Sequence, residues 1–201
     1  MATSSEMTTF IIKQHKEWGE ALTGFEGANK YSIMDPDGEV AYTAQEVGGS
    51  MLGRTFMRSK RPFTIEVRST DRQMLLKIER PFRFIFSEIT IYNCAGDILG
   101  SVKQKYGFGK IYYTAYNARL EELLTIDWSI FKPWTFPICL KGKEVGKIAK
   151  KWSGAIQEML TDADTFALAF EESLEANVKS ILLGTVFLID FLHFESNNKR
   201  S

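Results

Sequence analysis

The sequence predicts a mainly β protein, a closed antiparallel barrel wrapped around a buried hydrophobic C-terminal helix. Three observations predict it: runs of period-two alternation, polar turn signals between those runs, and one late segment that is apolar on every side. Phe63, Ile65 and Val67 alternate with Thr64, Glu66 and Arg68, and Met74, Leu76 and Ile78 alternate with Leu75, Lys77 and Glu79. Ile89 and Ile91 follow, then Ile98, Gly100 and Val102, then Phe166, Leu168 and Phe170. Each run reads as a strand with one face buried.

The turn signals are Asp35-Pro36-Asp37-Gly38, Thr70-Asp71-Arg72, Ala95-Gly96-Asp97 and Lys141-Gly142-Lys143. After each turn comes a second strand, as in "GEVAYTAQE", "QMLLKIER", "DILGSVKQK" and "KEVGKIAKKW". Successive hairpins at this spacing make a sandwich or a barrel, and a barrel removes the exposed strand edges. Before Tyr31 the pattern differs. Ile11, Ile12, His15, Trp18 and Leu22 stand at helical spacing and predict a short amphipathic helix over Thr9 to Leu22. The expected organisation is an N-terminal segment 1–24, a barrel domain 25–196 that includes a central helix 178–194, and a polar tail 197–201.

The C-terminal stretch "SILLGTVFLIDFLHFE" poses the main alternative. Its apolar core, Ile181 to Phe194, is 14 residues, or about 21 Å as a helix. A bilayer core is about 30 Å thick and takes about 20 residues. Asp190 and His193 interrupt the run, and a central Asp costs on the order of 3 kcal/mol on insertion. The segment is nevertheless apolar in every direction, and such a helix is buried on every side. Inside a β protein, the lumen of a barrel is the place that surrounds a helix, and Gly184 would let the backbone pass close to a strand. A membrane span remains the competing reading.

Composition is that of one globular domain: 201 residues, 44% hydrophobic, 25% charged, with no formal net charge. Neutrality weighs against nucleic acid, which calls for an extensive basic surface, so any anionic partner must be met locally. The two cysteines, Cys94 and Cys139, are too few for a disulfide scaffold and read as buried free thiols of a reducing compartment. The start "MATSSEMTTFIIKQHKEW" has neither a signal-peptide pattern nor a myristoylation glycine, so residence in the cytoplasm is expected.

Several blocks also resemble the phospholipid scramblase family: "ALTGFEGANKYSI", "RPFTIEVRSTDRQMLLKIERPFR", "GKIAKKWSG", "TDADTFALAF" and "FLIDFLHFE", in order from about Phe10 to Glu195. That family is related to the tubby C-terminal domain, so the resemblance implies a tubby-like barrel of about twelve strands closed around a hydrophobic helix. It also implies a membrane-associated, phospholipid-binding protein with calcium-dependent movement of lipid between leaflets. Family members carry a palmitoylated cysteine cluster after "ERP"; here Phe82 to Glu88 reads "FRFIFSE", without cysteine. The proline-rich N-terminal region of many members is also missing from the given sequence. Membrane anchoring generally takes two signals, so peripheral association is expected.

The resemblance places the family's calcium segment on Asp162 to Ser173. An EF-hand loop wants oxygen ligands at alternate positions, glycine at the sixth and a bidentate acid at the twelfth. Asp162 and Asp164 fit, but Phe166 and Leu168 offer no side-chain oxygen, and Ala167 and Ser173 fill the sixth and twelfth places. Calcium is thus expected to be weak at Asp162 and Asp164, or the two are simply turn residues before a strand. No other metal or cofactor is implied.

The candidate lipid contact is "KGKEVGKIAKKW". Lys141, Lys143, Lys147, Lys150 and Lys151 against Glu144 leave four net positive charges, each worth about 1 kcal/mol near an anionic membrane. Four of the five are odd-numbered and could share an outer strand face, with Lys150 out of phase; ordinary solvated lysines are the alternative. Arg54, Arg58, Lys60 and Arg61 form a second basic group. "WSIFKPWTF" puts Trp128, Phe131 and Trp134 around Pro133, as in a loop that dips into an interface or in a packed core. No catalytic constellation is present: His15 and His193 are far apart, and Asp190 with His193 reads as a satisfied polar contact. The expectation is a non-enzymatic lipid-handling protein. The alternative is a soluble tubby-like adaptor that binds anionic headgroups, a protein partner or nucleic acid without transport.

Overall fold

The computed structural model describes residues 6–15, 29–47, 61–107, 110–150 and 164–195. Twelve strands run in chain order: β1 Met7–His15, β2 Lys30–Met34, β3 Val40–Val47, β4 Phe63–Ser69, β5 Met74–Arg80, β6 Glu88–Asn93, β7 Ile98–Gly107, β8 Lys110–Asn117, β9 Glu122–Asp127, β10 Thr135–Leu140, β11 Lys143–Ala149 and β12 Thr165–Glu171. Each pairs antiparallel with its neighbour in sequence. β1 closes the barrel against β12, from Met7 opposite Glu171 to Lys13 opposite Thr165.

The alternation signals in β4 and β6 are borne out: Phe63, Ile65, Val67, Ile89 and Ile91 are all core. Hairpins at one barrel end are short and self-capped. Asp35 Oδ1 accepts the Asp37 and Glu39 amides, while Asn93 and Asn117 each accept two amides of their own turns. In the β4–β5 turn Ser69 Oγ accepts the Gln73 amide at 3.2 Å, and Lys141 and Gly142, at φ 49° and 82°, make the fifth as a two-residue turn, which needs left-handed backbone. A register shift sits beside each of these five turns, for example between Ile138 and Cys139. One such shift explains Ile98, which is half exposed and not in line with buried Gly100 and Val102.

The N-terminal expectation needs correction. Met7 to His15 is strand, not amphipathic helix, and belongs to the barrel that was expected to begin at residue 25. Thr8, Thr9, Phe10, Ile11 and Ile12 are β-branched or aromatic, a composition that favours strand, and both Ile11 and Ile12 are buried. Trp18 and Leu22 lie outside the described residues.

About eight strands give a barrel just filled by wall side chains; twelve leave a lumen that accepts a helix. Helix α1 (Ala176–Ile189) and a π-helical turn (Asp190–Glu195) occupy it. Ile181, Leu182, Val186, Phe187, Leu188 and Ile189 are all within 1% of full burial. Gly184 passes β6 as expected, with a built Cβ only 3.0 Å from Ile91 Cγ1. The helical run is longer than the apolar arithmetic allowed. Ala176–Phe194 is 19 residues, enough by length and composition to cross a membrane, and an 18-residue stretch of it is 72% buried inside the barrel. Length therefore does not decide between lipid and lumen; enclosure does.

Candidate functional site

Up-and-down topology gives the barrel two unlike ends. One carries the tight hairpins. The other carries the longer connections β5–β6 and β9–β10 together with the C-terminal end of the helical run.

The predicted lysines among the described residues do not come together on one surface. Lys141 and Lys143 are exposed at the hairpin end, where Lys143 Nζ bonds Glu171 Oε1 at 2.8 Å. Lys147 is half-buried in mid-strand. Lys150, seven residues beyond Lys143 and so about 23 Å along the strand direction, is at the opposite end and buried. Its ammonium lies 4.3 Å from the Phe194 ring centroid and 4.7 Å from that of Phe166. Lys150 is thus corrected from a surface lipid contact to a core cation. The bulge at Ile138/Cys139 also breaks the single odd-numbered face that alternation implied. Lys151 and Trp152 lie outside the described residues.

Arg61 is likewise buried. Its guanidinium forks onto Glu46, with Nη2 to Oε2 at 3.2 Å, and lies 4.6 Å from the Phe191 ring. Arg54, Arg58 and Lys60 lie outside the described residues. For calcium, Asp162 is also outside them; Asp164 sits in the turn before β12, where its carbonyl accepts the Gln14 amide at 3.0 Å. Phe166, Leu168 and Phe170 are core strand residues. Among the described residues no three His, Cys, Asp or Glu side chains form a cluster able to hold a metal. Cys139 is half-buried, which pushes its thiol pKa up, whereas Cys94 is exposed on the β6–β7 hairpin and not buried as expected.

The longer-loop end has the chemistry. The wide π-helical turn sends successive side chains to different walls. Asp190, 4% exposed, accepts the Tyr31 hydroxyl at 3.2 Å. Phe191 sits under the guanidinium groups of Arg61 and Arg80, the latter 4.7 Å from its centroid. His193 Nε2 is 2.6 Å from Tyr113 Oη, and its ring lies against Trp128 and Phe136. Burial lowers the His193 pKa to about 4, so the ring is neutral near pH 7. Asp190 and His193, expected to form a polar contact with one another, each bond a wall tyrosine instead.

Outside this layer the loops are bare. Phe84 and Ile85, at 75% and 81% exposure, form the tip of the β5–β6 connection, and Ile130 and Phe131, at 68% and 89%, the tip of β9–β10. Trp128 packs on His193 and Trp134 stacks on Phe194, so only Phe131 of the three aromatics expected in this loop is fully presented. Between the β5–β6 connection and the helix end lies a cavity of about 330 Å³ lined by Arg80, Arg83, Gln104, Trp128 and His193 among others. The sequence reading missed this site. Its signal was the "PFRFIFS" run itself, three phenylalanines and an isoleucine around one arginine between Pro81 and Ser87, noted only for its lack of cysteine.

A sequence model of the family described as Scramblase matches residues 1–196. The chain belongs to the scramblase family. Among curated relatives, the chain is 32% identical over 210 residues to human phospholipid scramblase 1, covering 98% of this chain and 66% of that one. It is 30% identical to human phospholipid scramblase 2, across 95% of this chain and 69% of the relative, and 29% identical to human phospholipid scramblase family member 5, across 95% and 75%. The chain spans about two thirds of the length of the scramblases 1 and 2 it matches. In this scramblase-family barrel, therefore, the matched region includes both the strand wall and the enclosed helix.

Proposed function

We propose that this scramblase-family chain binds phospholipid at a cytoplasmic membrane surface as a closed barrel, without catalysing a covalent reaction. Moving lipid between leaflets is proposed as an activity of an opened or assembled form, with calcium as a weak regulator through Asp162 and Asp164. The enclosure of Ala176–Phe194 carries the peripheral reading. Fully burying one large apolar side chain contributes about 1.5–3 kcal/mol, and at least six on the helix are within 1% of full burial. Emptying the lumen would therefore cost about as much as a domain's whole stability, about 5–15 kcal/mol. A headgroup, for its part, cannot cross hydrocarbon without a polar route, and a plugged barrel offers none.

The test uses vesicles of phosphatidylcholine with phosphatidylserine. Flotation with the vesicles, followed by release in alkaline carbonate, is the expected result; retention in carbonate overturns peripheral binding. Fluorescent-lipid exchange with and without calcium then tests transport. Rates equal to protein-free vesicles remove transport and leave binding standing.

A further inference from the structure

We propose that the longer-loop end is the membrane-docking face, and that the cavity between the β5–β6 connection and the helix end seats the phosphate of one bilayer phospholipid. This deepens the phospholipid-binding reading above and rests on it.

The cavity lining contains Arg80 and Arg83 but no aspartate or glutamate. His193, also in the lining, is neutral, so the described lining attracts an anion. Trp128 faces the same cavity, and its indole N–H is buried with no acceptor among the described residues. A buried donor without an acceptor is disfavoured, so an incoming oxygen gains a hydrogen bond that the closed fold leaves unmade. Gln104 accepts the Ser87 amide through Oε1 at 3.1 Å, which leaves its NH₂ to donate. The volume suits a headgroup and little more, since ligand sites begin at about 300 Å³.

The rim is what distinguishes a phospholipid from a free phosphate. Phe84 and Ile85 line the mouth and are 75% and 81% exposed. Phe131 and Ile130 protrude at the same end of the barrel. Two aromatic and aliphatic tips on separate loops, each with a cation beside it (Arg83 and Lys132), suit the boundary between headgroups and acyl chains. A polar, cation-lined floor with an apolar mouth matches an amphiphile whose anionic head enters first. Its acyl chains would stay in the bilayer beside Phe84 and Ile85. Arg83 is held only loosely, 3.4 Å from Glu88, and can turn to a phosphate.

The experiment uses the full chain with phosphatidylcholine/phosphatidylserine vesicles, short-chain dihexanoyl phosphatidylserine, and inorganic phosphate. The double variant Phe84→Ser with Ile85→Ser is expected to weaken vesicle binding about tenfold or more, since it removes the inserted apolar area. Trp128→Phe, which keeps an aromatic ring and deletes the indole N–H, is expected to weaken it several-fold. Arg119→Glu, exposed on the β8–β9 turn at the far end, should bind as wild type. Short-chain phosphatidylserine should shift the Trp128 indole NMR signal, identified by its absence in Trp128→Phe, and inorganic phosphate at equal concentration should not. Wild-type binding that both loop and indole variants retain overturns this site and leaves phospholipid binding intact. An equal shift with inorganic phosphate overturns the phospholipid as occupant. No vesicle binding by the wild type overturns both readings.

Discussion

The Tyr113 hydroxyl lies 2.6 Å from His193 Nε2, tying strand β8 to the last turn of the enclosed helical run. This contact holds the C-terminal end of the plug to the wall beside the cavity that Arg80 and Arg83 line. Burial that strips His193 of water also makes the plug sensitive to acid. The folded-state pKa is lowered to about 4 from 6.5. Below pH 6.5 the unfolded chain takes up a proton at this site, while the folded chain does not until about pH 4. The contribution is therefore intact above 6.5 and lost as pH falls toward 4, by up to about 3 kcal/mol. Urea denaturation across that window should show a steeper loss of stability for wild type than for His193→Gln. Parallel curves would remove His193 as the titrating group.

Glu46 and Arg61 form a buried ion pair, at 2% and 5% exposure, where the β3 and β4 ends meet the plug. Removing one partner strands the other charge. Glu46→Gln is expected to destabilise the barrel by about 3–5 kcal/mol, read as a lower urea midpoint with unchanged slope. Replacing both residues with apolar ones should recover much of the loss, because neither charge is then left behind.

Gly100 on β7 sits directly against Ile181 of the enclosed helix. A Cβ there would sit 2.3 Å from the Tyr116 carbonyl oxygen and 2.4 Å from Ile181 Cδ1. Gly100→Ala gains about 0.5–1 kcal/mol by restricting the unfolded chain, yet overpacking of this kind costs about 1–3 kcal/mol. A backbone oxygen cannot swing aside as a side-chain tip can, so the cost should prevail. A net loss of about 1–2 kcal/mol is expected in thermal or chemical melts.

Calcium should bind no tighter than about millimolar, the range of sites with few charged ligands. Calorimetry of the full chain with Asp162→Asn and Asp164→Asn as controls measures this. A micromolar constant that disappears in the variants would establish a proper site.

The twelve-stranded barrel was legible because its signals are local. Phe63, Ile65 and Val67 show their two-residue period to any reader, and Gly38, Gly96 and Gly142 announce turns whose left-handed backbone few other residues favour. The all-round apolarity of Ile181 to Ile189 likewise required an enclosure, whatever its walls. Family blocks added strand number, which no period supplies.

Other features depended on contacts between residues distant in the chain. The Thr9 to His15 run satisfied a helical spacing by coincidence; pairing with β2 and β12 made it a strand, because only there could its backbone groups complete the barrel ladder. Lys150 stood out of phase with its neighbouring lysines, but only the folded chain set its ammonium against the rings of Phe166 and Phe194. Composition left Phe131 open between an interface loop and a packed core, and gave no reason to single out Phe84. Chain composition by itself determined a wall and a plug, since alternation and turn chemistry act over a few residues. Which cations are buried, which aromatics face outward, and where an anion fits were decided only by closure, which brings residues a hundred positions apart to one end of the barrel.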